Sequence, residues 1–444
     1  MKQSVGFLSA LSAALWFTLP APAQPAAPST PPSAGAAPQA AIPLDQAAAD
    51  GFAGYYLIGP QRAVRYWREG EHFYFGAVGT PQRAEATPVA SNAFSYANGG
   101  VTFTFHAGAD GTITSVTINQ GGREVSAPRI DESVAMSFSP PSAPASAKSP
   151  VPRSWTVMTG LTPQEITPRT TGTMDYWPCF SPDGKTVLFS RTLDGGKTWA
   201  LSRVPAAGGA AQPFAKLPVS ASRADWSRKS NRIAFIGGTP DGKSSIWVID
   251  GTGRNAHAVP TVGVLVPSYP SWYPDGQTIG FGDAARNILY RISANGRTPI
   301  AITHQEQVLA GMSSISPDGT VVAFAGQKNS GQLYNQGDNQ LWLVDGTGAA
   351  KPLEAQPLHG RTPSWSPDGK RLAFESDRGS PNGFLAVFVV NRDGTDLIQV
   401  TDYALNASHP VFSPDGHRLA LAIGDPSRME ATIAMVTLPG DDHP

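Results

Sequence analysis

The sequence predicts an all-β protein, a six-bladed β-propeller preceded by an N-terminal antiparallel β-barrel-like domain. Two observations predict it. A six-residue phrase recurs six times in the second half of the chain, with 43 to 50 residues between the starts of successive copies. Such a period indicates one supersecondary unit that is repeated because a single copy cannot bury its own apolar face. The 46 Gly and 41 Pro are typical of a chain with many tight turns.

The centre of the phrase is Ser-Pro-Asp-Gly, with variants in two copies. Pro sets φ for a turn, Asp can bond its own backbone and Gly accepts positive φ, so the phrase predicts a turn between two strands. Second, third and weak fourth strands follow each copy, and four antiparallel strands per repeat predict a propeller blade. The copies begin at Phe180, Trp226, Trp272, Ile315, Trp365 and Phe412.

The phrases resemble the PD40 or WD40-like repeats of TolB-like six-bladed propellers. Asp-Gly-Thr turns after the third strand, at Asp250, Asp345 and Asp393, strengthen the resemblance, which covers residues 153–440. A propeller has to close its ring or leave an unpaired edge. Because few residues follow Val436, we predict that Trp155 to Met158 supplies the outer strand of the sixth blade.

Residues 44–136 predict the small antiparallel β domain. Short runs rich in aromatic and β-branched residues alternate there with Gly-containing turns, and a short helix from Leu44 to Asp50 leads in. The segment resembles the accessory β-barrel domain of β-lactamase-like serine hydrolases. The resemblance rests on Gly54-Tyr-Tyr56, the run from Ile113 to Val125 and Pro128-Arg-Ile130. It implies an accessory domain rather than a catalytic one.

The N-terminus predicts export. Lys2, the apolar stretch from Val5 to Leu19 and the small residues Ala21-Pro-Ala23 form a signal peptide over residues 1–23. Pro- and Ala-rich residues 24–43 and Pro-, Ser- and Ala-rich residues 137–152 predict two linkers. No Cys follows the signal, so we expect a periplasmic or secreted protein without a lipid anchor or a transmembrane span.

Composition excludes some partners. The net charge of −1 gives no electrostatic reason to bind nucleic acid. Cys179 is the single cysteine, which we interpret as a small buried side chain. We expect a monomer with no cofactor and no bound metal, whose partner is a protein, a peptide or another envelope component.

Differences between the repeats indicate where a site lies. The residues four and five positions before the Ser slot of each phrase form, by repeat symmetry, a ring at one mouth of the central channel. Arginines in the ring could hold a carboxylate or phosphate, and its aromatic side chains could stack on a sugar or peptide. The predicted ligand-binding residues are Tyr176, Trp177, Arg223, Tyr269, Arg361 and His409. A structural interpretation, in which the ring fills the channel with mixed polar groups and water, stays open.

Two functions follow. The first is an exported, non-enzymatic binding or scaffold protein whose channel mouth binds a peptide segment or an anionic envelope ligand. The alternative is a carbohydrate-active or peptide-cleaving enzyme, a lyase or hydrolase, that uses His409 with Arg223 and Arg361. We assign no catalytic residue, because the Gly-x-Ser-x-Gly nucleophile motif is absent from the sequence.

Histidine geometry separates the two functions. His257, His304 and His359 lie between blades and, with His409, resemble the His-rich metal site of oligogalacturonate lyase, a related propeller enzyme. They fall at different depths in their repeats, so we do not expect them to meet at one metal. Two imidazoles within reach of one point in the channel would favour an enzyme, and a single His among aromatic side chains would favour binding.

Overall fold

The computed structural model describes residues 41–59, 62–78, 84–96, 101–120, 123–137, 155–158, 160–194, 198–239, 243–329, 338–353, 359–380, 383–425 and 430–439. The predicted signal peptide and most of both predicted linkers lie outside these residues. None of the helices described is long and apolar enough to cross a bilayer.

The first folded unit is a closed eight-stranded antiparallel barrel. Its strands follow one another in sequence order, and β1 closes the ring against β8 through the pairs Tyr55↔Ile130 and Tyr56↔Arg129. Helix α1 (Gln46–Phe52) precedes the barrel, and α2 (Glu132–Ser137) follows it. The strands are β1 (Gly54–Gly59), β2 (Arg62–Glu69), β3 (His72–Ala77), β4 (Ala84–Ala90), β5 (Ala93–Tyr96), β6 (Val101–Ala107), β7 (Ile113–Gln120) and β8 (Arg123–Ile130). The predicted barrel-like domain is confirmed.

Aromatic side chains fill the barrel. Alternate residues of each strand point inward, and Tyr66, Phe73, Phe103 and Phe105 are almost completely buried. The rings of Phe73 and Phe94 stack with their centroids 4.4 Å apart. The barrel is therefore a packed core.

The second folded unit contains the repeats. Three sheets have four strands each: β15 (Ser220–Trp226) to β18 (His257–Val259), β19 (Pro267–Trp272) to β22 (Ile300–Ala301), and β23 (Val308–Ile315) to β26 (Ala350–Pro352). A fourth sheet, β27 (Arg361–Trp365) to β30 (Ile398–Gln399), gains β9 (Thr156–Val157) as a fifth strand. The intervening strands are β16 (Arg232–Gly238), β17 (Ser244–Asp250), β20 (Thr278–Asp283), β21 (Ile288–Ser293), β24 (Val321–Lys328), β25 (Gln340–Asp345), β28 (Arg371–Ser376) and β29 (Ala386–Asn391).

The remaining sheet has eight strands and joins the two ends of the repeat region. It contains β11 (Met174–Phe180), β12 (Thr186–Thr192), β13 (Ala200–Pro205), β14 (Gln212–Pro213), β31 (Ser408–Phe412), β32 (Arg418–Asp425), β33 (Glu430–Thr437) and β10 (Gln164–Glu165). A single parallel pair, Met174↔Ala431, links β11 to β33 and divides the sheet into two antiparallel units of four strands. The six repeats thus form six four-stranded units in five hydrogen-bonded sheets. We number them blade 1 (β11–β14) to blade 6 (β31–β33 with β10).

The predicted closing strand was wrong. Residues 156 and 157 pair with β30 of blade 5, whereas Gln164–Glu165 supplies the outer strand of blade 6 through the pair Gln164↔Met435. The cause is Trp155, whose indole Nε1 donates to Gln399 Oε1 at 3.0 Å and whose ring meets Phe388 at 5.9 Å. Packing of this large side chain fixes the incoming chain on blade 5 before it reaches blade 6.

The repeat phrases form the predicted turns. In the first copy, Ser181 Oγ donates to Asp183 Oδ1 at 2.6 Å, and Gly184 has a φ of 69°. The same Ser–Asp bond recurs at 2.6 Å between Ser366 and Asp368. These side chains are occupied in shaping the turn, which makes them part of the scaffold.

Candidate functional site

The residues predicted to line the channel mouth have an unusual backbone. The residues four positions before each Ser slot all adopt left-handed φ values between 46° and 53°. At each of them the pairing between the first two strands of the blade slips, which is a β-bulge. The six residues are Trp177, Arg223, Tyr269, Met312, Thr362 and His409. A non-Gly residue in this region is strained, and here the strain is repeated in all six blades.

The bulge frees a backbone N–H that needs another partner. The N–H of Arg223 donates to Ser190 Oγ of blade 1 at 3.1 Å, and the N–H of His409 donates to Glu375 Oε2 of blade 5 at 2.8 Å. Ser190 and Glu375 occupy the same register position of the second strand, opposite Tyr176 and Arg361. In the other four blades that position is Ile236, Gly282, Ala325 and Ala422. Glu375 is therefore the one ionisable side chain among the six equivalents.

Thr362 should be the most strained member of the ring, since a β-branched residue is rare at its φ of 49°. We expect Thr362→Asn to raise the free energy of unfolding by about 1 kcal/mol, because Asn tolerates left-handed backbone. Thr186→Asn, in extended backbone of β12, is the control and should lower stability slightly because Asn is disfavoured in strands. Urea unfolding measures both. If both variants lower the free energy of unfolding by the same amount, the ring is not strained.

Arg223 is the central cation of the mouth. It is 5% exposed, and its Cζ lies 4.2 Å from the ring centroid of Trp177 and 4.8 Å from that of Tyr269. No carboxylate of the described residues forms an ion pair with it, and its Nε lacks a hydrogen-bond partner there. A buried guanidinium without a counter-ion is costly. Aromatic rings lie against it in blades 1 and 3, and its Nε is a donor without a partner among the described residues.

Aromatic side chains surround this cation. Trp177 meets Tyr176 with ring centroids 5.7 Å apart, Trp199 at 4.9 Å and His409 at 5.5 Å. Trp177 Nε1 is buried and has no hydrogen-bond partner among the described residues. Indole Nε1 and guanidinium Nε are donors only, so both unpaired groups require an acceptor.

The other arginine of the mouth is already paired. Arg361 Nε lies 3.3 Å from Glu375 Oε1, and Glu375 is 4% exposed. Burial raises the pKa of the Glu375 carboxyl, but the His409 imidazole, which is protonated only in acid, the Arg361 guanidinium and the His409 N–H outweigh that effect, so the pKa lies below its usual value. Beside this pair lies a shallow cleft whose lining includes His359 and Asp377.

His409 is held in its neutral form. Burial lowers the pKa of its imidazole to about 4; Glu375 opposes that shift, whereas Arg223 and Arg361 add to it. Its Nδ1 lies 3.0 Å from Ser408 Oγ and 3.9 Å from Glu375 Oε2. Burial also raises the pKa of the Tyr176 hydroxyl to about 12, with a smaller effect of Glu375. Both side chains are uncharged at neutral pH.

The structure brings all six predicted residues into one chain of contacts. It runs from Tyr269 through Arg223 and Trp177 to His409, and on through Glu375 to Arg361, with Tyr176 against both Trp177 and His409. We call these side chains, with Trp199, the mouth cluster. Their role in binding stays a prediction. Sequence reasoning missed Glu375 and Trp199. The signal for Glu375 was its position directly after the Phe of the second strand, where the other blades carry uncharged residues.

The contacts of His409 in the described part of the chain include no other histidine. His257 lies in β18, the outer strand of blade 2, with its Nδ1 3.0 Å from Asn255 O. His359 forms an isolated bridge with Gln340. Over the described ranges, no group of three or more His, Cys, Asp or Glu is placed to hold a metal ion. His409 is the His of the ring, among aromatic side chains.

Comparisons with known proteins give likenesses of limited extent. No family model matches the chain. An uncharacterized peptidase of Bacillus subtilis, YuxL, is 29% identical over 109 residues, which are 24% of this chain. The chain spans 16% of the length of that relative.

Two solved structures are similar. A TolB protein of Agrobacterium tumefaciens is 20% identical, with a TM-score of 0.44, over 60% of this chain and 91% of that one. An oligogalacturonate lyase of Vibrio parahaemolyticus is 14% identical, with a TM-score of 0.41, over 64% of this chain and 96% of that one. The strand pairing of the chain itself shows the predicted all-β fold, in which the four-stranded antiparallel units of a β-propeller follow a β-barrel.

Proposed function

We propose that this chain is an exported binding protein whose channel mouth captures an anionic group, a carboxylate of a peptide or of another envelope component. The observation that carries the proposal is Arg223, a buried guanidinium in contact with the rings of Trp177 and Tyr269, with an unpaired Nε and no carboxylate partner among the described residues. Export rests on the N-terminal signal pattern of residues 1–23.

A carboxylate suits this arrangement. Arginine binds carboxylates through two parallel N–H···O bonds in the plane of the guanidinium. Aromatic rings lie against Arg223 in two neighbouring blades, so a planar acceptor that approaches edge-on suits it better than a ligand that stacks. The buried donor Trp177 Nε1 supplies a second group that needs an acceptor.

The two arginines of the mouth have different roles in this proposal. Arg361 already forms an ion pair with Glu375, with Nε 3.3 Å from Oε1, so it shapes the site and supplies no unpaired charge. In this proposal His409 is not a catalytic base, because burial lowers its pKa to about 4 and makes it a weak base.

The test uses a minimal carboxylate ligand. We expect the tripeptide acetyl-Ala-Ala-Ala with a free C-terminus to bind at pH 7 and low salt, measured by calorimetry, and its C-terminal amide to bind at least about tenfold more weakly. Arg223→Met should weaken binding of the acid peptide by about ten- to hundredfold, since a hydrogen bond to a charged group contributes about 1.5 to 3 kcal/mol. Met keeps the apolar contact with both rings.

Arg291→Ala, an exposed arginine of blade 3, is the matched control and should leave binding unchanged. Arg223→Met should not lower the melting temperature, because it removes a buried charge without a counter-ion. Equal binding of the acid and amide peptides, no binding of either, or unaltered binding by Arg223→Met would each overturn the proposal. Pull-downs from envelope extract with wild type and Arg223→Met then identify the natural partner.

A further inference from the structure

His409 lies where charges of both signs meet. Arg223 of β15 and Arg361 of β27 act on its imidazole from the positive side, and Glu375 of β28 from the negative side. Tyr176 of β11 packs against it with ring centroids 5.7 Å apart and is uncharged. Trp177 of β11 and Ser408 of β31 complete its surroundings. With His409 neutral, the mouth cluster carries one positive charge in excess.

The neutral imidazole is unsuited to hold an anion. Its Nδ1 lies 3.0 Å from Ser408 Oγ, which can accept its proton, and the negative charge of Glu375 at 3.9 Å favours a proton on this nitrogen. Nε2 then carries a lone pair, and no described residue hydrogen-bonds to it. A lone pair repels a carboxylate oxygen, whereas a protonated Nε2 would donate to it.

An anion beside Arg223 changes this balance. It cancels the field of one of the two guanidinium groups that keep the proton away, and it adds a negative charge of its own. Trp177 contacts both Arg223 and His409, so the anion and the imidazole lie on neighbouring parts of one cluster. We propose that His409 takes up a proton when a carboxylate binds beside Arg223, so that the mouth holds its ligand more tightly in acid. The inference rests on the proposed function of the mouth.

The direction of the effect follows from linkage. The bound state binds the proton more tightly than the free state, so affinity rises as pH falls through the bound-state pKa and levels off below the free-state value, about 4. A rise of one pKa unit on binding gives about a threefold gain in affinity between pH 7 and pH 4.5. It also gives an uptake of about half a proton at pH 4.5.

Calorimetry with the acid peptide tests this. Titrations at pH 7 and pH 4.5, the latter in two buffers of different ionisation enthalpy, give the affinity and the proton uptake. The peptide carboxyl, with a pKa near 3.5, stays mainly ionised at pH 4.5. His409→Asn is the informative variant because Asn tolerates the left-handed φ of 53° at this position. Whatever its affinity at pH 7, this variant should bind the peptide equally at pH 7 and pH 4.5 and should take up no proton on binding.

The outcomes separate the two proposals. Carboxylate-dependent binding without proton uptake, or uptake that persists in His409→Asn, overturns the inference and leaves the proposed function standing. Equal or absent binding of the acid and amide peptides overturns both. If His409→Asn does not fold, NMR titration of wild-type His409 decides the matter: its midpoint, about 4 in the free protein, must rise on addition of the peptide, and an unmoved midpoint overturns the inference.

Discussion

Replacing Glu375 by Ala is expected to lower the free energy of unfolding of the propeller by about 3 kcal/mol, which is at the lower end for breaking a buried ion pair because Arg361 keeps some contact with solvent. Two partners lose their acceptor. Arg361 Nε lies 3.3 Å from the carboxylate, and the N–H of His409 donates to it at 2.8 Å. Loss of the hydrogen bond from the His409 N–H should lower stability more than loss of a hydrogen bond between paired strands, since the bulge leaves this N–H no other partner in its own sheet.

The Glu375 contribution depends on pH with a definite sign. The folded pKa lies below the ordinary value of 4.5, so the stabilisation is present above that value and is lost as pH falls through the folded pKa. The stability difference between wild type and Glu375→Gln should therefore be constant at neutral pH and shrink in acid.

Chemical unfolding followed by near-UV circular dichroism measures these variants. Glu306→Ala, at an exposed glutamate in the turn between β22 and β23, is the control and should change stability by less than about 0.5 kcal/mol. Glu375→Gln keeps an acceptor for the His409 N–H, so its stability should lie between those of Glu375→Ala and Glu306→Ala. A Glu375→Ala variant as stable as the control would mean that solvent replaces the carboxylate at no cost.

The second large effect is expected at Gly237, where substitution by Ala should cost about 3 kcal/mol through overpacking. An added Cβ would lie 2.3 Å from Trp247 Cδ1 and 3.0 Å from Val219 Cγ2. Trp247 cannot withdraw freely, because it stacks on Phe235 at 6.3 Å and its Nε1 donates to Ser245 Oγ at 3.0 Å. Relief of the clash has to break these contacts in the core between blades 1 and 2.

The neighbouring glycine provides a matched control. At Gly238, on the same strand, the nearest atom to an added Cβ is Ser220 Cβ at 3.8 Å, an ordinary contact. Gly238→Ala should be neutral or slightly stabilising because it reduces the entropy of the unfolded chain. Thermal unfolding of the two variants tests the packing, and similar melting temperatures would contradict it.

Much of the fold could be predicted because its turns and cores repeat. The second copy of the phrase shows that the same turn can form from a different sequence. It lacks Pro-Asp-Gly, yet Asn231 adopts a φ of 52° in its turn, and Asn231 Oδ1 accepts from Trp226 Nε1 at 2.8 Å. A turn needs a residue that tolerates positive φ, and Asn meets that need almost as well as Gly.

The features that escaped prediction depend on contacts distant in sequence. Gln164–Glu165 is too short to show a period of two, and its pairing is decided by where Trp155 packs. In the sequence Glu375 is one residue of a second strand, and only the structure shows that it accepts a hydrogen bond from the His409 N–H of the next blade. Repeat symmetry could place Arg223 in the ring, but the lack of a counter-ion depends on every side chain around it.

The mouth cluster straddles the junction at which the first and last blades meet. Trp177 belongs to blade 1 and His409 to blade 6, and their contact at 5.5 Å crosses the same junction that the pair Met174↔Ala431 closes. An anion held there would bind only the assembled circle and would add to its stability by mass action. Occupancy of the mouth would therefore depend on whether the two ends of the propeller have come together, and a ligand would slow the parting of the terminal blades.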